Sequence, residues 1–323
     1  MMSAPSTCEP VDRSVPPLPA DRRRVAVVCH PGREEAVQAA VRLIGLLQGR
    51  GFDLYAPSDQ VQVLQGGGAD CQPLSEDAPP ELVVVLGGDG TILRGATVAR
   101  QADVPLLGVN LGHVGFLAEV EREELERTVE HIVRRDYHVE WRMTLEATAF
   151  SGEEVVGRGW ALNEATVEKG SRERMVELAL EVEGRPLAAW GCDGIVVATP
   201  TGSTAYGFSA GGPVVWPDVE AILVVPISAH ALFARPLVLG PTASVAVEVV
   251  PESAGPGVLW CDGHAVADLP AGSRVEVVRS PRPVRLARLS SLPFGERLVR
   301  KFGLSVEGWR GAAARRAQEA QDD

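Results

Sequence analysis

The chain has 323 residues, enough for roughly two domains at ~100–200 residues each. Against 31 Lys and Arg stand 43 Asp and Glu, a net charge of −12. That balance excludes a general nucleic-acid binder and a protein drawn to anionic membranes, and aromatic content of 5% disfavours base-stacking platforms.

Residues 1–21, rich in Pro and Ser and without an apolar segment, are expected to form a flexible tail and not a signal peptide. Residues 25–29 form an apolar run expected to be a buried strand. The stretch 33–48 carries Val37, Val41, Ile44 and Leu47 on one helical face. A second short strand is expected at 52–55 and a mobile Gly-, Pro- and Asp-rich loop at 65–80. The apolar run 82–86 leads straight into Gly87-Gly88-Asp89-Gly90, and a helix is expected from Thr91 to about Gln101. Another strand follows at 104–109, and a helix at 121–135 with Leu125, Val129 and Ile132 in register. This alternation predicts an α/β domain over 22–136 with a mostly parallel sheet. After about Tyr137 the pattern changes to period two, as in 176–182, 244–250, 274–278 and 285–289, between Gly/Pro turns. Residues 137–291 are therefore expected to form an antiparallel all-β domain that binds the ligand. A helix over 292–310 would return to the first domain, and 311–323 would be a second flexible tail.

Hydrophobic content of 45% supports folded cores. The cysteines, Cys8, Cys29, Cys71, Cys192 and Cys261, are odd in number and widely spaced, so a reducing cytoplasm is expected. No apolar run approaches the ~18 residues a membrane span needs. Neither lysine, Lys169 or Lys301, follows a glycine loop, no Walker A loop exists, and no G-x-G-x-x-G follows a strand.

Three segments carry chemistry. Gly87, Gly88, Gly90 and Thr91 stand at a strand's carboxyl end, where backbone amides and a helix N-terminus can cradle phosphates. Asp89, an acid in that loop, would repel a phosphate if the loop only bound one, so it suggests a base or a metal contact. The plain alternative is a strand-to-helix turn capped by Asp89. The segment 191–213 is long, low in charge and rich in Gly, Ser and Thr around one tyrosine, Tyr206, which suits ribose and phosphates; the alternative is an ordinary loop. Asn163-Glu164 offers an amide and a carboxylate for an adenine edge and ribose hydroxyls, though by itself it reads more readily as a surface polar pair.

Taken together, these motifs resemble those of the bacterial NAD kinase family. Gly87 to Thr91 is similar to its GGDGT motif, and Asn163-Glu164 to its N-[DE] pair. Asp193-Gly194 with Thr199 to Tyr206 is similar to its DG…TPTGSTAY signature, and Asn110 to Leu117 to its N-x-G-x-x-G-F-L segment. The resemblance spans roughly residues 25–308. It implies an enzyme that phosphorylates the 2′-hydroxyl of the adenosine ribose of NAD, giving NADP. The implied donor is ATP with a divalent metal, Mg²⁺, carried on the ATP; polyphosphate stays open as a donor. It implies Asp89 as general base. Asp89, Gly90, Arg94, Asn163, Glu164, Arg174, Asp193, Thr204, Ala205, Tyr206, Gly207, Phe208 and Ser209 would line the NAD site, with His264 near it. The expected partners are NAD, ATP and further copies of the chain in a homo-oligomer. Two other readings are a lipid or sphingoid-base kinase, suggested by GGDG alone, and a dinucleotide-binding module without turnover.

Overall fold

The computed structural model describes residues 22–111, 115–118, 120–121, 124–172, 174–289 and 292–305. Both expected tails, residues 306–310 and His113 lie outside the described residues.

The chain begins with β1 (Arg24–Cys29), α1 (Glu34–Gln48), β2 (Asp53–Ala56), α2 (Ser58–Gly66), β3 (Gln72–Pro73) and β4 (Leu82–Leu86). It continues through α3 (Asp89–Ala102), β5 (Leu106–Asn110), β6 (Val120–Glu121), α4 (Leu125–Arg134) and β7 (His138–Arg142). Then come β8 (Leu145–Ser151), β9 (Glu154–Ala161), β10 (Glu164–Lys169), β11 (Val176–Val182), β12 (Arg185–Cys192) and β13 (Gly194–Ala198). A 3₁₀ turn at Gly202–Thr204 and the short α5 (Tyr206–Ser209) precede β14 (Ile222–Ile227), β15 (Leu237–Leu239) and β16 (Val245–Val249). The chain closes with β17 (Gly257–Cys261), β18 (His264–Leu269), β19 (Ser273–Arg279), β20 (Val284–Arg288) and α6 (Phe294–Phe302).

Eight strands form the first sheet, in the order β3-β2-β1-β4-β5-β20-β7 with β6 beside β5. All its pairings are parallel except β20 with β7. Unbroken apolar strands such as β1 and β4 feed two cores by alternation. Val25, Val27 and Cys29 pack with α1, α2 and α4 on one face, while Ala26 and Val28 pack with Ile92, Ala96 and Ala99 of α3 on the other. The second unit is a sandwich of two six-stranded antiparallel sheets, β15-β14-β13-β10-β17-β18 and β12-β11-β16-β19-β8-β9. One shared apolar core lies between them. The α/β unit followed by an antiparallel β unit is the expected fold class.

Two sequence expectations are corrected. The loop expected at 65–80 begins only after α2, which buries just Gln60 and Leu64 and so shows no apolar stripe. Gln60 is a structural residue: its side-chain oxygen accepts the Cys29 N–H at 2.9 Å. The segment 285–289 also belongs elsewhere. It forms β20 of the first sheet, parallel to β5 and antiparallel to β7, so residues 138–142 and 284–288 lie outside the β sandwich. Their period-two pattern is that of any strand; the partner, about 145 residues away across the β20–β7 pair, is not written in it. Where the chain crosses between units, the two passes are tied together. Ser280 N–H donates to the Thr144 carbonyl at 2.8 Å, and the Thr144 hydroxyl donates to the Arg282 carbonyl at 2.7 Å.

Candidate active site

β4 is buried along its length and delivers the glycine loop to the sheet's carboxyl edge. Gly87 has φ +152°, and a Cβ there would stand 2.6 Å from the Thr91 hydroxyl oxygen, so the strand turns into α3 in a space only glycine fits. A Cβ on Gly88 or Gly90 would meet nothing within 4 Å. The first turn of α3 therefore carries little side-chain cover and retains the partial positive charge of its unpaired amides. Asp89 does not cap the helix. It is the first helical residue, after Gly88 at the cap position.

The Asp89 carboxylate turns toward residues 115–117. Leu117 N–H donates to Oδ1 at 3.3 Å and Phe116 N–H to Oδ2 at 3.5 Å. These are long hydrogen bonds, one to each oxygen. A Cβ on Gly115 would lie 3.1 Å from Asp89 Cγ and closer still to Oδ1, so the segment fences the carboxylate as well as bonding it. Phe116 packs against Phe294 and Phe302 of α6, at ring separations of 5.7 and 5.8 Å. Phe302 in turn meets Phe208 of α5 at 4.6 Å, and Phe294 meets Trp216 at 5.2 Å. Through α6, an aromatic chain joins the Asp89 segment to the 204–209 segment of the β unit.

Glu164 opens β10 with Asn163 just before it, and both are buried. Asp262 holds them. Its carboxylate accepts the N–H groups of Leu162 (2.7 Å), Asn163 (2.8 Å) and Glu164 (3.2 Å). Asp262 has φ +48° and Gly263 φ +78°, the left-handed pair of a tight hairpin turn between β17 and β18. The signature segment then folds back onto Asn163. Thr199 N–H donates to the Asn163 carbonyl at 2.8 Å, and a Cβ on Gly202 would stand 2.5 Å from that carbonyl carbon. Several hydroxyls expected to face a ligand are spent on this turn. Thr199 donates to the Leu162 carbonyl at 2.5 Å, Ser203 to the Pro200 carbonyl at 2.7 Å, and Thr204 to the Thr201 carbonyl at 3.2 Å.

A cavity of about 400 Å³ is lined by Glu164, Thr166, Glu168, Tyr206, Trp260 and Gly263. Glu164 Oε2 is buried without a hydrogen-bond partner. Burial, then the neighbouring Asp262 and Glu168 charges, push the Glu164 carboxyl up to about 8, although the Tyr206 amide favours its ionised form. Burial likewise raises the Tyr206 phenol, helped by Glu168, Asp193 and Glu164. Asp193 lies at the far end of β10: Lys169 Nζ is 2.6 Å from its Oδ1 and holds its carboxyl below the usual range.

Glu164, Tyr206 and Asp193 thus influence one another, Asn163 is bound to the same turn, and Phe208 reaches the Asp89 side through α6. Gly207 packs into the turn, 3.2 Å from the Gly202 carbonyl oxygen at its would-be Cβ. Ala205 donates its N–H to Gly202, and Ser209 is exposed. Two candidates point elsewhere. Arg94 pairs with Asp59 on the surface, and Arg174 is exposed and donates to the Ala254 carbonyl at 3.1 Å. His264 is exposed, with its ring close enough to act on Asp262. Sequence reasoning missed Asp262, Lys169 and the amides of 116–117. Asp262-Gly263 between two period-two runs is a hairpin signal, and nothing marks its aspartate as a clamp. Among the described residues, no group of three or more His, Cys, Asp or Glu side chains could hold a metal ion.

The model of the ATP-NAD kinase N-terminal domain matches residues 25–137, and that of the ATP-NAD kinase C-terminal domain matches residues 162–289. The chain belongs to the ATP-NAD kinase family. It is an enzyme of that family, a kinase. The NAD kinase of Thermobifida fusca is 54% identical over 305 residues, covering 91% of this chain and 93% of that protein. The NAD kinase of Leifsonia xyli is 55% identical over 306 residues, covering 92% and 99%. Among solved structures, an NAD kinase from Archaeoglobus fulgidus in complex with ATP superposes with a TM-score of 0.64. It is 26% identical, covering 87% of this chain and 97% of that one. Yeast NADH kinase complexed with NADH has the same fold, with a TM-score of 0.80 at 24% identity and 89% coverage of each chain. No described helix is long and apolar enough to cross a membrane.

Proposed function

We propose that this chain transfers the γ-phosphoryl group of ATP to the 2′-hydroxyl of the adenosine ribose of NAD, forming NADP and ADP. The observation that carries the reading is Asp89: one carboxylate at the head of α3, set among bare glycines and held by two backbone amides. A ribose hydroxyl is a weak acid, so the transfer needs a base within about 2.6–3.2 Å of it. Asp89 takes the hydroxyl proton as the 2′ oxygen forms its bond to the γ phosphorus. The bond from that phosphorus to the β–γ bridging oxygen breaks, and the electron pair leaves with ADP. Positioning and charge stabilisation supply most of the rate. The amides of Gly88 and Gly90, with the α3 terminus and the Gly87 turn behind them, face the phosphates, while the Thr91 N–H closes the first turn on the Gly88 carbonyl at 2.9 Å.

In this reading NAD lies between the units. Asn163, Glu164, Asp193, Thr204, Ala205, Tyr206, Gly207, Phe208 and Ser209 line its site from the β side, and Asp89 and Gly90 from the other. Arg94 and Arg174 join them by swinging from their surface partners to the phosphates. The cavity walled by Glu164 and Glu168 suits a ligand that donates hydroxyl hydrogens better than it suits an apolar chain. Glu164 also separates substrate from product above about pH 8, where it is ionised, since a 2′-phosphate then meets a carboxylate and offers it no hydrogen to accept.

A divalent cation, Mg²⁺, belongs to this reading and enters on the triphosphate. The Asp89 oxygens, each taking one long amide bond, keep lone pairs that fit such a hard cation. When bound, it neutralises charge on the β- and γ-phosphates. The division into an α/β unit and a β unit with the ligand between them is part of the proposal. So is a homo-oligomer, supported by exposed Leu187, Leu232, Phe233 and Val238 on the β unit. A reducing, cytoplasmic setting is supported by the four free, buried thiols among the described residues.

The test is NADP formation by the purified chain with NAD, ATP and Mg²⁺, and by Asp89→Asn. The variant is expected to bind NAD and to lose turnover by about 10² or more. Turnover near wild type in Asp89→Asn would remove Asp89 as the base.

A further inference from the structure

Arg288 closes β20 and is fully buried, the largest side chain among the described residues to be so. A buried guanidinium is costly unless it is paired and hydrogen-bonded. Its Nε donates to Glu140 Oε2 at 2.9 Å. Its Nη1 donates to the Leu117 carbonyl at 3.0 Å. On the other side of that residue, the Leu117 amide donates to Asp89 Oδ1. Glu140 is a firm anchor. Although burial opposes its ionisation, Arg288 and Arg142 together bring its carboxyl down to about 2. The charge that holds Arg288 therefore persists across the working pH range.

The geometry points to Arg288 as a positioning residue for Asp89, acting through the backbone of Leu117. This rests on the assignment of Asp89 as base. β20 runs parallel to β5, and the chain after β5 leads into the 115–117 segment. Among the described residues, 115–118 form no ladder pairing; Leu117 and Ala118 lie against Gly108 of β5, where a Cβ would stand 3.3 Å from the Leu117 carbonyl oxygen. The guanidinium ties the Leu117 carbonyl to the Glu140 anchor, with one arm on each. The tie sets how far the Phe116 and Leu117 amides stand from the carboxylate, and so where the carboxylate points. A planar fork can hold both partners at once, whereas an ammonium offers one compact charge. Arg142 provides an internal comparison. It is also buried and also donates to Glu140 Oε2, at 2.6 Å, and among the described residues it makes no hydrogen bond to 115–117.

The experiment compares Arg288→Lys, Arg288→Met and Arg142→Met in the full chain. It measures kcat and KM for NAD and ATP, NAD affinity by calorimetry, and hydrogen exchange of the peptide containing Phe116 and Leu117. Arg288→Lys keeps the buried charge beside Glu140 and is expected to fold. Its kcat should fall about tenfold or more, with both KM values and NAD affinity within about threefold, because a misplaced base costs chemistry more than binding. Exchange at 116–117 should be faster. Arg288→Met should show the same pattern, more strongly. Arg142→Met should melt earlier yet keep kcat within about twofold and leave exchange at 116–117 unchanged. The proposal is overturned if Arg288→Lys keeps wild-type exchange at 116–117, or if Arg142→Met loses kcat as severely. Exchange reads the tie without turnover, so a wild-type chain that makes no NADP would refute the reaction and still leave the tie measurable.

Discussion

Gly115→Ala probes the fence around Asp89 directly. An ordinary Cβ contact needs 3.4 Å or more, yet the new methyl would stand 3.1 Å from Asp89 Cγ, 3.3 Å from Oδ2 and nearer than either to Oδ1. Gly115 is buried and both neighbours on its C-terminal side are buried, so the loop has little room to retreat. The carboxylate must shift by on the order of 1 Å, a displacement that costs about 10²-fold when it moves a reacting group. That is about 2.7 kcal/mol of lost transition-state stabilisation. It would also weaken the two long amide bonds at 3.3 and 3.5 Å. The accompanying loss of fold stability should be that of a local overpacking, about 1–3 kcal/mol. NADP formation at saturating NAD and ATP, with NAD binding and thermal unfolding measured in parallel, separates these effects. The expected result is a large fall in kcat with NAD affinity nearly intact. A Gly115→Ala enzyme with kcat within threefold of wild type would refute the claim that 115–117 sets the Asp89 carboxylate.

Two further outcomes follow from the site. Glu164 has its carboxyl raised to about 8 in the folded chain, against an ordinary value near 4.5. The folded state therefore binds the proton more tightly, and stability should fall as pH rises from about 4.5 to about 8 and level off above that. Glu164→Gln should then match wild type near pH 5 and unfold at a higher temperature near pH 8.5, by on the order of a few kcal/mol of stability, read by calorimetry; equal melting at both pH values would contradict the burial argument. Arg94→Ala removes only an exposed pair with Asp59, worth roughly 0–1 kcal/mol. Its melting temperature should hold while KM for ATP or NAD rises severalfold; unchanged KM values would leave Arg94 outside the phosphate site.

The glycine loop was legible because its neighbours in sequence are its neighbours in space. A buried apolar strand, Gly87, and a helix that begins at once are all local, and Gly87 fits there since any side chain would strike Thr91. The clamp on Asn163 and Glu164 was not legible, because Asp262 lies 98 residues further on than Glu164. Its dipeptide with Gly263 announces a turn and nothing else. Lys169 hid in the same way: as one of two lysines it looked incidental, yet it pairs with Asp193 across the β10–β13 junction. The hydroxyls of 199–204 erred in the other direction. Their number suggested a ligand, and the folded chain spends several of them on its own carbonyls.

The order of residues alone pointed to an α/β half followed by a β-rich half and to a glycine loop shaped for phosphate, since composition, periodicity and contiguous motifs are local properties of the chain; the ligand class came from the family resemblance that those motifs carry. Only the tertiary structure decided that β7 and β20 close the first sheet and that acidic Glu164 and Glu168 share one cavity, with the Asp262 charge acting on Glu164 beside it. It alone brought a buried arginine to the backbone that faces Asp89. Those arrangements depend on burial and on contacts between residues far apart in sequence. Desolvation, which raises one carboxyl to about 8 and must be overcome to hold another near 2, exists only once the chain has folded around them.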